Sequence, residues 1–382
     1  MRTIEIQLLL LCARSKTDAK VITNLVSEGL NWHRLIELAT QHGVRPLLMR
    51  SLKSACWSGV PLSIQLELES FYKETVVRNL YFTSELLRLL DVFRRNSIPI
   101  AAFKGPVLAE VAYGDLALRE FLDLDALVHE ADLCKAESIL SACGYNSYFP
   151  GKDYRSAFFS YYCQQPFLSQ SGVIFDLHWR LASKSVALPM QSAAVWARLR
   201  DVRIEGRAVP TLAQDDLALL LAAHGTMHRW ERLVWLCDFA ELLRRDQRLD
   251  WWAIYDCAKR ARSSRPLLLA VLLASTLLDA PAPAKLVDEA RGNPAVTALA
   301  EKFQLGMLQN TSKGDFEEFL QGINTRDLLR DRVLPVATLL MTRTVNDYEA
   351  IPLPKPLWWV YYLIRPIRLL GRIVQLLRAF LK

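Results

Sequence analysis

IPIAAFKGPVLAEVAYGDLALREFLDLDALV, residues 98–128, holds two strand-like runs separated by a Lys-Gly turn and a short helical segment. The first run, Ile98 to Phe103, is continuously apolar and predicts a buried strand. Lys104-Gly105 forms the turn, and Pro106 to Tyr113 predicts a helix with proline at its start. Phe121 to Val128 predicts a second strand. Side chains alternate along a strand, so Asp123 and Asp125 share one face. Leu122, Leu124, Leu127 and Val128 make this strand apolar, a setting in which solvation alone explains two aspartates poorly.

Downstream, Ala131 to Ala142 has good helix formers and ends at Gly144-Tyr145, a C-terminal cap signal. Phe149 to Gly172 is aromatic and polar without a clean period and reads as a strand and a loop. Val173 to Trp179 predicts a third strand, with Asp176 and His178 on one face. Upstream, Met1 to Arg14 contains Leu8 to Leu11 but also Glu5, and is too short and interrupted to span a bilayer. It reads as a first buried helix. Trp32, Leu35, Leu38 and Ala39 keep helical spacing, His42 to Pro46 breaks it, and Leu47-Leu48 opens the next helix. From Leu66 to Arg95 an amphipathic helix carries Leu80, Leu86, Leu87, Leu90 and Phe93 as its apolar stripe.

Helices return from Pro189 to about residue 345, with candidates at Leu217–His228, Leu233–Arg244, Trp251–Arg262 and Pro266–Leu278. The predicted fold class is mixed α+β: a small mixed sheet with helices at 96–182, a helical region at 1–95 and a helical domain at 183–345. A Pro-rich linker and a basic tail occupy 346–382.

Hydrophobic content of 52% against 23% charged excludes a disordered chain. Seven scattered cysteines without a C-x-x-C pair give no zinc framework and suit a reducing cytoplasm, the expected location. Six of the basic residues lie between Lys355 and Lys382 with no acid among them, which leaves 41 basic against 40 acidic residues elsewhere. The +7 charge therefore belongs to the tail and argues against general nucleic-acid binding by the body.

Two carboxylates on one strand beside a phosphate-friendly turn suit metal-assisted nucleotidyl transfer. Two Mg²⁺ ions held ~3.5–4 Å apart clamp the attacking and leaving oxygens of an in-line displacement. Mg²⁺ takes carboxylate, phosphate and water oxygens. Asp123 and Asp125 supply the shared ligands, and Asp176 completes the second site or accepts the hydroxyl proton. Gly105 allows a triphosphate to approach the backbone, and the helix start offers N–H groups. Lys104 and Arg119 are candidates to hold phosphate charge, although Arg119 reads equally well as a partner of Glu120 or Asp115. His178, His224, His228 and Asp238 are candidate substrate contacts. The stretch His224-Gly225-Thr226-Met227-His228 lacks a metalloprotease glutamate, so packing beside Trp230 and Trp235 is the simpler reading there. Asp238, in an apolar run, is expected to pair with a nearby Arg or His.

These residues carry a resemblance. Phe103-Lys104-Gly105, Tyr113-Gly114, Arg119, Asp123 to Val128 and Gly144-Tyr145 resemble the bacterial uncharacterised nucleotidyltransferase family of the polymerase-β-like superfamily. His42 to Leu48, Asp176 to Arg180, His224, His228 to Trp230, Leu233, Asp238, Leu353-Pro354 and Arg365-Pro366 also fit. The resemblance implies a nucleotidyltransferase core inside helical flanks, with Asp123 and Asp125 in the metal positions and Asp176 as third acid. Lys104-Gly105 stands where the wider superfamily has Gly-Ser or Gly-Gly. The expected partners are an NTP, Mg²⁺ and a hydroxyl- or phosphate-bearing acceptor such as a saccharide or peptide.

Two rival readings remain at this level. One is an inactive scaffold of a membrane-associated biosynthetic complex, and the other a toxin-like enzyme modifying tRNA or protein. In the tail, Leu369, Leu370, Ile373, Leu376, Leu377 and Phe380 form one helical face beside Arg365, Arg368 and Arg372. Residues 357–382 therefore suit either an anionic membrane surface, at the inner face of the membrane, or docking on the protein's own body.

Overall fold

A computed structural model of the chain describes residues 3–15, 18–147, 159, 162–182, 188, 190, 192–245, 249–309, 327, 347 and 350–368. The architecture is mixed α+β, as the sequence pattern implies. Four helices open the chain: α1 (Ile4–Cys12), α2 (Ala19–Ser27), α3 (Trp32–His42) and α4 (Arg45–Ala55). The α3 start is fixed by Asn31, whose side chain accepts from the Arg34 N–H at 3.0 Å. Its end is fixed by Gly43 in the left-handed region, φ 66°. Long α5 (Leu62–Arg95) then buries Leu86, Leu87, Leu90 and Phe93.

Leu80 departs from the expected stripe and is 48% exposed. The neighbouring buried face instead carries Thr75, Asn79 and Thr83. Asn79 is buried because its amide donates to the carbonyls of Leu116 (2.6 Å) and Arg119 (2.9 Å), which ties down the connection ahead of the acidic strand.

Strand β1 (Ile100–Ala102) leads through Lys104 into α6 (Gly105–Leu108), which continues as a π-helical turn, Ala109–Tyr113. Strand β2 (Asp123–Val128), helix α7 (Leu133–Ala142), β3 (Tyr145–Ser147), β4 (Gln164–Ser169) and β5 (Ile174–His178) follow. The sheet order is β1-β2-β5-β4-β3. Only β2 and β5 run parallel; β1 on β2, β4 on β5 and β3 on β4 are antiparallel. The β1–α6–β2 segment is thus no parallel crossover but an antiparallel return that brings the end of β1 beside the start of β2. Phe103 N–H donates to Asp125 O at 3.3 Å, and Asp125 stands opposite Asp176. On the far face Phe175 stacks against Phe93 of α5 (ring centroids 6.5 Å) and meets Tyr145 edge-on. Burying such side chains contributes ~1.5–3 kcal/mol each.

In the stretch from Pro189 where helices are expected to return, helix α8 (Ser192–Ala197) is followed first by strands. A hairpin, β6 (Arg200–Ile204) and β7 (Arg207–Thr211), occupies this stretch. Glu205 (φ 48°) and Gly206 (φ 74°) are both left-handed, the backbone a tight two-residue hairpin turn demands. Helices α9 (Gln214–Met227), α10 (Leu233–Arg245), α11 (Trp251–Arg260), α12 (Ser264–Leu278), α13 (Ala284–Gly292) and α14 (Pro294–Gln309) then run close to the periodicity predicted for this part. The helices expected between 310 and 345, and the amphipathic stripe Leu369–Phe380, lie outside the described residues. Among the described residues no helix is long and apolar enough to cross a membrane.

Candidate active site

Asp125, Asp176 and His178 come together on one face of the sheet, with ligating atoms all within 4.8 Å of one another. Strand alternation and the parallel β2–β5 register produce this grouping, since Asp125 faces Asp176 directly and His178 is two residues on. The expected metal trio was Asp123, Asp125 and Asp176. Among the described residues His178, not Asp123, completes the tight group. Asp123 sits at the strand entrance, partly exposed, and still feels the Asp125 charge.

Asp125 is 2% exposed, and its Oδ1 is doubly held. Lys104 Nζ lies 3.2 Å away and His178 Nε2 3.0 Å away. Burial alone would raise the Asp125 carboxyl, but the Lys104 ammonium and then His178 override it and hold the group well below the usual carboxylate range. An ionised carboxylate only accepts, so His178 Nε2 carries the proton and donates. The other oxygen, Asp125 Oδ2, is buried and has no hydrogen-bond partner among the described residues. An orphaned buried carboxylate oxygen beside two further acids fits a divalent cation.

Asp176 behaves oppositely. Burial, then the charges of Asp125 and Asp123, push its carboxyl up to about 7. Gln164, which sequence reasoning missed, donates to Asp176 Oδ2 at 2.7 Å. Burial and the Asp125 charge likewise raise Asp123. Lys104 is raised because the two aspartates outweigh the desolvation that would lower it.

Asp176 gains its proton on folding, so its contribution to stability is complete below the unfolded carboxyl range. That contribution is lost as pH rises from about 4 through about 7. The metal-free Asp176→Asn variant is therefore expected to melt with the unmodified protein near pH 4 and above it at pH 8. The gap amounts to a few kcal/mol in order of magnitude. Thermal melts across this pH range, in chelator, check it.

The phosphate-turn residues need revision. Gly105 has φ 51°, and a Cβ there would stand 3.0 Å from the Asp123 carbonyl oxygen. The close approach of α6 to β2 is enough to require the glycine. Pro106 has no N–H, and Val107 N–H donates to Lys104 O at 3.1 Å, so the helix start is poor in donors for an anion.

Arg119 is not paired with Glu120 or Asp115. Its guanidinium meets Asp238 of α10, with Nε at 2.9 and 3.1 Å from the two carboxylate oxygens and Nη2 at 3.1 Å. Tyr113, to which the sequence assigned no role beyond the Tyr113-Gly114 motif, donates to Asp238 Oδ1 at 2.9 Å. Glu120 bonds Arg45 instead. The expected Arg partner of Asp238 is therefore Arg119, and both side chains are committed to a buried pair that joins α10 to the approach to β2. His224 lies in the last turn of α9 and His228 caps that helix; burial, then the charges of Lys104 and His228, hold the His224 imidazole well below its usual range. Both pack against Trp235, not Trp230; Trp230 is wedged against Gly225. A cleft of about 800 Å³ lies elsewhere, between the end of α5, β1 and the β6–β7 hairpin.

No curated protein matches the chain in sequence. A family profile described as uncharacterised nucleotidyltransferase matches residues 28–279, a span that holds β1 to β5, every acid of this face, and the whole of α9 to α12. With more than half its length in that match, the chain belongs to the uncharacterised nucleotidyltransferase family and is a transferase of nucleotidyl groups.

Proposed function

We propose that the protein moves a nucleoside monophosphate from an NTP to a hydroxyl or phosphate of an acceptor, with Mg²⁺ as the metal. The observation carrying this reading is the acidic face, where Asp125 Oδ2 is buried without a partner among the described residues and Asp176 stands directly opposite. Asp125 and Asp176, with Asp123 at the entrance, would hold the metal. When bound, the metal neutralises phosphate charge and lowers the pKa of the attacking hydroxyl. His178 is a positioning residue that fixes the rotamer of Asp125 through Oδ1. Lys104 shares that oxygen and provides the cation nearest the carboxylates for phosphate charge. Asp176, opposite Asp125 in the β2–β5 register, either completes the metal site or accepts the hydroxyl proton.

Incubation with the four NTPs labelled at the α-phosphate, Mg²⁺ and a cell extract tests this. Label is expected on an acceptor together with release of pyrophosphate. Labelled NDP with release of inorganic phosphate would instead indicate a hydrolase, and labelled NDP with release of neither phosphate nor pyrophosphate a kinase.

Localisation is part of the same proposal. Trp359, Tyr362, Leu363 and Ile367 are exposed on the segment 355–368, and suit peripheral contact with an anionic membrane on its cytoplasmic side. Arg365 and Arg368 do not add their charges freely to that face, since both bond Asp347.

A further inference from the structure

Three rings that the carboxylate chemistry does not use stand together where α9 gives way to α10. His224 and His228 are one turn apart on α9 with ring centroids 4.7 Å apart. Trp235 on α10 meets His224 edge-on at 5.5 Å and lies tilted to His228 at 5.2 Å. All three are partly exposed, unlike Trp230 behind them, which is fully buried. Trp235 is three residues from Asp238, the α10 residue that bonds Arg119, so the cluster stands about one helical turn from the pair that ties α10 to the approach to β2. Asp125, Arg119 and Lys104 all act on His224, and Lys104 acts on His228 one turn later.

We propose that His224, His228 and Trp235 form the platform that takes the nucleobase of the incoming nucleoside triphosphate. The inference rests on the nucleotidyl-transfer function above, with the phosphates at Lys104 and the acids and the base on the rings. Nucleobases are recognised by flat π surfaces and by edges offering donors and acceptors. Two imidazoles and an indole supply both. Burial and the nearby cations keep the imidazoles uncharged at neutral pH, with His228 lowered to about 4. Each neutral ring then presents one donor and one acceptor, which suits a base edge and not a phosphate. The α9–α10 turn that carries the rings is stiffly built. Arg229 (φ 56°) and Trp230 (φ 53°) are consecutive left-handed residues, held where Trp230 packs on Gly225 and Arg229 bonds Glu231. Such strain is sustained only where the surroundings over-determine it.

Titration calorimetry with Mg²⁺ separates the possibilities. ATP, GTP, CTP, UTP and inorganic tripolyphosphate are titrated into the unmodified protein and into Trp235→Ala, Trp235→Phe and His228→Ala, each first shown folded by its melt. Loss of base stacking is expected to weaken the best-bound NTP by ~10- to 100-fold in Trp235→Ala and His228→Ala. Trp235→Phe, which keeps a π surface, is expected to stay within ~3-fold. Tripolyphosphate affinity should not move. Equal weakening of tripolyphosphate and NTP would assign the rings a structural or phosphate-side role and overturn the proposal. Unchanged NTP affinity in both alanine variants would overturn it too, leaving nucleotidyl transfer intact. Failure of the unmodified protein to bind any NTP would remove nucleotidyl transfer and the platform together.

Discussion

Asp125→Asn is expected to lower NMP transfer by at least ~10³-fold, about 4 kcal/mol of transition-state stabilisation, and also to destabilise the fold. The activity loss follows from removing the buried carboxylate that Lys104 and His178 orient and whose second oxygen has no partner among the described residues. The stability loss follows because Lys104 would keep its charge without its closest counter-ion, in a site 18% exposed at the lysine and 2% at the aspartate. Breaking one side of such a buried pair costs roughly 3–5 kcal/mol. Asp123→Asn and Asp176→Asn should behave differently. Their carboxyls are raised by burial and mutual repulsion, so neutralising either one relieves the metal-free protein while removing activity. Paired melts and transfer assays on the three variants check the contrast, which equal stability changes in all three would contradict.

The second large effect lies in the Arg119–Asp238 pair. Asp238→Asn is expected to cost roughly 3–5 kcal/mol in urea unfolding, because it leaves the Arg119 guanidinium buried without a counter-ion. Asp238 is 1% exposed, and Tyr113 donates to the same carboxylate. The double variant Arg119→Met/Asp238→Leu should recover most of that loss, since an apolar pair removes the desolvation problem instead of exposing it. If Arg119 also acts on phosphate, the double variant will be stable yet slow. If the pair only fastens α10 to the approach to β2, activity will return with stability.

Much of the acidic face was legible because it depends on local periodicity. Asp123 and Asp125 on one strand, and Asp176 and His178 on another, share faces through two-residue alternation alone. The mixed α+β class followed from the same patterns set between helical runs. The rest depends on packing between distant segments, which no spacing encodes. Asp238 lies 119 residues from Arg119, and only the placement of α10 brings them together. Gln164 reaches Asp176 through antiparallel β4, in a stretch whose sequence has no clean period. Gly105 suggested a phosphate turn, yet its positive φ and contact with β2 are demands of the sheet. Leu80 fits a helical stripe by spacing but faces outward, because buried Asn79 takes the contact with the loop ahead of β2. The β6–β7 hairpin was concealed in a region of strong helical signals. Its Glu205-Gly206 turn, flanked by alternating residues, was the available cue.

The most direct test of metal-dependent NMP transfer by this face uses Asp176→Asn, the variant expected to fold at least as well as the unmodified protein. Transfer of label from α-labelled NTP and pyrophosphate release are measured at pH 8 with Mg²⁺, beside a melt of the same sample. The expected result is a melting temperature at or above that of the unmodified protein with transfer reduced by ~10³-fold or more. Undiminished transfer by a well-folded Asp176→Asn would contradict the assignment of the site.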